Sequence, residues 1–66
     1  MRDITDKYGR IVGRIMESDN NTQRAYDRTG VYVGTYNENA DTTLDRNGRY
    51  VGRGNSLASL IFESDD

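Results

Sequence analysis

The chain has 66 residues, seven of them glycine, with no cysteine, histidine, proline or tryptophan, and nine basic against eleven acidic residues give a formal net charge of −2 at pH 7. That length allows one domain with a thin core. Missing cysteine removes disulfides and thiolate chemistry, missing histidine removes the commonest general base and metal ligand, and the acidic balance argues against a non-specific nucleic-acid binder.

Three segments share the pattern D-x-x-G-x-[IY]-V-G-[RT]: residues 6–14, 27–35 and 45–53. Asp-x-x-Gly spells a three-residue hairpin loop. The aspartate accepts nearby backbone N–H groups and the glycine takes the left-handed conformation, which is a type I turn with a G1 bulge. In chain order, Ile4-Thr5 enters the first turn and Arg10 to Met16 returns from it. Ala25-Tyr26 enters the second and Val31 to Tyr36 returns; Thr43-Leu44 enters the third and Arg49 to Arg53 returns. The polar stretches Glu17 to Gln23 and Asn37 to Thr42 have the composition of loops.

The expectation is therefore an all-β chain of three repeated β-hairpins, forming a small antiparallel sheet or a partly closed barrel. The repeats span about 2–16, 23–36 and 42–54 of a single domain. A cap over 55–62 follows, helical or extended, and then an acidic tail over 63–66. Asn55-Ser56 is a helix N-cap pair, and Leu57, Leu60 and Ile61 fall on one helical face. Leu57, Leu60, Ile61 and Phe62 lie in the most apolar stretch, which is expected to bury area against the hairpins or against a second subunit, and they are the candidate self-association residues.

Strict alternation along the returning strands sets Val12, Val33 and Val51 on one face with Arg10, Arg14, Val31, Thr35, Arg49 and Arg53. The other face takes Ile11, Gly13, Ile15, Tyr32, Gly34, Tyr36, Tyr50, Gly52 and Gly54. The glycine after each valine implies a bend or a neighbouring tyrosine lying over bare backbone.

Arg10, Arg14, Arg49 and Arg53, with Tyr32 and Tyr50, are the candidate binding residues for an anionic polymer, nucleic acid or acidic glycan. The plainer reading pairs these arginines with acids across strands. Asp45-Arg46-Asn47-Gly48 starts like a calcium loop, but its twelfth position is Ser56, not glutamate, so it reads as a turn. No serine has a histidine base. The expectation is no catalytic residue, metal ligand or cofactor, and a small structural or protein-interaction module. A thin core and open sheet edges point to a homo-oligomer, with a dimer favoured and nucleic acid disfavoured. No apolar run of about 18 residues exists to span a membrane, and no signal peptide is recognisable, so the default location is cytoplasmic.

Residues 26–34, reading Y-D-R-T-G-V-Y-V-G, together with the L-A-S-L-I of residues 57–61, carry a resemblance. The chain resembles small bacterial proteins of unknown function with tandem Y-D-x-x-G-x-x-V-G hairpin repeats. It is more loosely similar, in the turns alone, to the tyrosine–aspartate repeats of large bacterial shell-forming toxins. The resemblance implies stacked hairpins and supplies no activity. Thr5 and Leu44 stand where those repeats carry tyrosine.

Overall fold

Each Asp-x-x-Gly segment folds as a tight hairpin turn. In the computed structural model, which describes residues 2–18 and 21–64, Gly9, Gly30 and Gly48 have φ of +80°, +88° and +80°. The glycine N–H of each turn donates to the carbonyl of its aspartate at 3.0 Å. The aspartate N–H donates in turn to Arg10, Val31 or Arg49 at 2.9 Å, closing the expected three-residue loop.

The strands are β1 (Arg2–Thr5), β2 (Ile11–Ser18), β3 (Thr22–Asp27), β4 (Tyr32–Asn37), β5 (Thr42–Asp45) and β6 (Tyr50–Arg53). They form one antiparallel sheet in sequence order, so β1 and β6 are both edges. The sheet is open and no barrel closes. The expected loop from Glu17 to Gln23 is strand at both of its ends: β2 and β3 continue as paired strands out to Ser18 opposite Thr22. Its polar composition reflects a solvent-exposed ribbon, and Asp19 and Asn20 lie outside the described residues.

The three hairpins share one irregularity. Ile4 lies opposite Gly13 while the next residue, Thr5, lies opposite Ile11, so Val12 is the extra residue of a β-bulge. Val33 and Val51 hold the same place, between Ala25–Gly34 and Tyr26–Tyr32, and between Thr43–Gly52 and Leu44–Tyr50. A bulge shifts the parity of everything beyond it. The strict alternation expected above therefore fails at valine. Val12 and Val33 are buried in one cluster with Ile15, Ala25, Leu57 and Ile61, not on the face of Arg14 and Thr35.

The cap is a helix, α1 (Leu57–Ser64), and not an extended strand. The Leu57 N–H donates to Asn55 Oδ1 at 3.1 Å, and the Leu60 N–H to the Ser56 carbonyl at 3.1 Å. Thr43, fully buried on β5, fixes the entry to the helix. Its hydroxyl donates to the Gly54 carbonyl at 2.7 Å and accepts the Ser56 N–H at 3.0 Å. Glu63 and Ser64 belong to the helix rather than to a tail, and Asp65 and Asp66 lie outside the described residues. Eight residues are too few for a stable isolated helix, so α1 depends on what it packs against.

It packs across β2, β3 and β4, and the second glycine of the motif is its seat. A Cβ at Gly13 would stand 2.5 Å from Ile61 Cγ2 and 2.6 Å from the Tyr26 carbonyl oxygen. One at Gly34 would stand 2.6 Å from Leu60 Cδ1 and 2.7 Å from the Leu44 carbonyl oxygen. Helix side chains, not neighbouring tyrosines, cover the bare backbone. Gly52, on β6 beyond the helix, would meet nothing within 4 Å. Thermal unfolding of three single variants checks this arrangement. Gly13→Ala and Gly34→Ala are each expected to destabilise by about 1–3 kcal/mol through overpacking, whereas Gly52→Ala stays within about 0.5 kcal/mol of the parent.

Candidate functional site

With α1 on one side, the other side of the sheet is uncovered. Cross-strand partners share a face, so the register assigns it. One row runs Asp3, Arg14, Tyr26 and Tyr32. The next runs Met16, Arg24, Thr35, Leu44 and Tyr50. A third runs Ser18, Thr22, Asn37, Thr42 and Arg53. Met16 is 44% and Tyr50 65% exposed, although both are large and apolar in body. The Tyr26 and Tyr32 rings meet edge to face with centroids 6.0 Å apart. Beside them Thr22, Arg24 and Thr35 complete a shallow open groove of about 600 Å³.

The bulges redistribute the sequence-derived candidates. Arg14 and Arg53 share the uncovered face with Tyr32 and Tyr50, where alternation had set arginines and tyrosines on opposite sides. Arg10 and Arg49 directly precede Ile11 and Tyr50 and take the other side, at the turn ends. No four-arginine surface exists. Three of the four pair with acids: Arg10 Nε with Asp6 at 3.0 Å, Arg14 Nε with Asp3 at 3.5 Å and Arg53 Nε with Asp41 at 3.5 Å. Arg10 and Lys7 also lie over the Tyr8 ring, at 5.5 and 5.2 Å from its centroid. The self-association candidates divide as well. Leu57 and Ile61 are fully buried against the chain's own sheet and Leu60 packs partly buried beside them, so that surface is spent inside the molecule. Phe62 remains exposed.

Met16, Arg24, Tyr26 and Leu44 were missed as surface candidates. The signal was present for two of them. Counting outward from each turn sets the residue before aspartate opposite the residue before valine, which pairs Tyr26 with Tyr32 and Leu44 with Tyr50.

The turn carboxylates serve the fold. Asp45 Oδ1 accepts the N–H groups of Asn47 and Arg49, both at 2.9 Å, which is turn structure rather than a calcium loop. Asp27 Oδ1 accepts the Thr29 hydroxyl at 2.6 Å and the N–H groups of Thr29 and Val31 at 2.9 Å. The Thr29 hydroxyl and the Val31 N–H hold the Asp27 pKa below its ordinary value, against an opposing effect of desolvation. At Asp6 desolvation is the largest effect and raises the pKa, but the N–H groups of Arg10 and Tyr8 and the Arg10 guanidinium together outweigh it, so that this pKa is lowered too. Across the β4–β5 turn, the Tyr36 hydroxyl donates to Asp41 Oδ1 at 2.7 Å, and that bond, followed by desolvation and the charges of Asp41 and Glu38, raises the tyrosine pKa.

Among the described residues no helix is long and apolar enough to cross a membrane. Comparison of the chain with protein-family models, with curated proteins and with solved structures finds no match.

The lowered carboxylate values fix the sign of an acid response. A depressed folded-state pKa contributes stability that is complete above the unfolded value, near 3.8, and is lost as pH falls through the folded value. Melting temperature followed from pH 5 downward is expected to fall below about pH 4. An Asp6→Asn/Asp27→Asn variant, which keeps an acceptor in both turns, is expected to fall less steeply.

Proposed function

We propose that the chain is a small, non-catalytic protein-interaction module whose docking surface is the uncovered face of the sheet. The composition of that face carries the reading. Its rows hold tyrosine, methionine, leucine and arginine, and among the described residues neither lysine nor glutamate. Protein interfaces are enriched in Tyr, Met and Arg and depleted in Lys and Glu. Nucleic-acid surfaces need uncompensated positive charge, and here Arg14 and Arg53 are already matched by Asp3 and Asp41. The same reading takes the three hairpins as copies of one unit, in line with the tandem-hairpin resemblance. Their shared turn and shared bulge support it.

Affinity capture with tagged chain in extract of its native cells tests the surface. A Met16→Glu/Tyr50→Glu variant is expected to lose bound protein while keeping the parent far-UV spectrum, because both side chains are exposed. Phe62→Ser, on the helix side, is expected to retain it. Equal capture by all three proteins would rule out the face as the docking surface.

A further inference from the structure

We propose that the occupant of the uncovered face is a second copy of this chain, with two sheets packed face to face and a helix on each outer side. This rests on the interaction reading above and adds the identity of the partner.

Three observations carry it. The first is area. The two longer Cα extents of the molecule, 33 and 21 Å, bound any one face at about 700 Å² before side chains are counted, the order of the ~800 Å² per partner of a standard stable interface. The second is charge. Arg14 and Arg53 are paired within their own chain, so Arg24 is the one arginine of the three rows without an ion pair among the described residues. Apposing two such faces brings little like charge together.

The third is the layout of the central row, Met16, Arg24, Thr35, Leu44 and Tyr50. It is apolar at both ends and has Thr35 at its middle. A two-fold axis crossing it at Thr35 sets Met16 against Tyr50 of the second copy. The same operation sets each Arg24 stem along a leucine and keeps the two guanidinium groups apart. The contact is self-complementary, as a two-fold interface must be. Sheets packed this way lie about 10 Å apart. The need for it is visible in the core. Among the described residues the six buried apolar side chains lie in the single layer between sheet and helix, which leaves the other side of the sheet with no buried apolar layer of its own.

Sedimentation velocity and light scattering from micromolar to several hundred micromolar test the proposal. The expected species has twice the 7.5 kDa mass of the chain. Met16→Glu/Tyr50→Glu is expected to raise the dimer dissociation constant at least about 30-fold, the size of one hot-spot truncation, with an unchanged far-UV spectrum. Thr35→Arg, which sets two like charges on the axis, is expected to do the same, and Phe62→Ser to leave the constant unchanged. A dimer that survives both open-face variants overturns the proposal, as does a parent chain that stays monomeric and unfolds cooperatively. If that monomer still captures protein through the open face, the interaction reading stands and only the identity of the partner is wrong. If it captures none but binds oligothymidylate with a steep salt dependence, the interaction reading fails too and the face serves nucleic acid.

Discussion

The Val-Gly step that follows each turn is the constraint on which the rest of the molecule depends. One extra residue in the returning strand rotates the valine onto the core side, and the glycine beside it leaves the backbone bare. Those two consequences are one device. Val12 and Val33 supply two of the six side chains of the buried cluster, while Gly13 and Gly34 let Ile61 and Leu60 descend to within van der Waals reach of the strands. A chain with so small an apolar fraction gains most from contacts this close, because dispersion falls off within a fraction of an ångström. The third copy of the step shows the dependence by contrast. Val51 is 41% exposed and Gly52 touches nothing, because β6 lies beyond the helix.

Helix placement is secured from the opposite end of the sheet. Asp41, at φ +53°, accepts the Tyr36 hydroxyl, pairs with Arg53 and offers its carbonyl to the Gly54 N–H. Gly54 then passes its own carbonyl to Thr43, whose hydroxyl also takes the Ser56 N–H. A buried hydroxyl with both donor and acceptor satisfied is stabilising where an unmatched one would cost 1–3 kcal/mol or so. The direction in which the chain leaves β6 is thus set by named bonds, and the entry angle of α1 follows from it.

Much of this was legible in the sequence, and the rest failed for two reasons. Asp6, Asp27 and Asp45 with Gly9, Gly30 and Gly48 announce the turns because the chemistry is local: a carboxylate reaches N–H groups two and four residues on. Asn55-Ser56 announces the helix start in the same way. Period-2 reading then assigns faces, and it is correct up to Ile11, Tyr32 and Tyr50. It goes wrong at the next residue because no local property of valine declares a bulge. The bulge recurs at Val51, where Gly52 meets no helix side chain, so it belongs to the hairpin unit itself; what the helix adds, from far along the chain, is the cover over Val12 and Val33. The assignment of Arg10, Arg14, Arg49 and Arg53 to one surface fails with that parity shift, whereas the burial of Leu57 and Ile61 rests on contacts between segments far apart in the chain.

The position of α1 after all six strands has a consequence for how the molecule forms. Every strand pairs with its neighbour in sequence, so each ladder closes across a short loop and can assemble early. The apolar layer has no such shortcut. Ile61 meets Gly13 only after a long stretch of chain has been brought together, at a larger loop-closure cost than any hairpin. Until then the sheet has both faces in water. Its hairpins are ordered by their turns, and neither side is dry. The last eight residues of the described fold are what turn a ribbon of hairpins into a body with an interior.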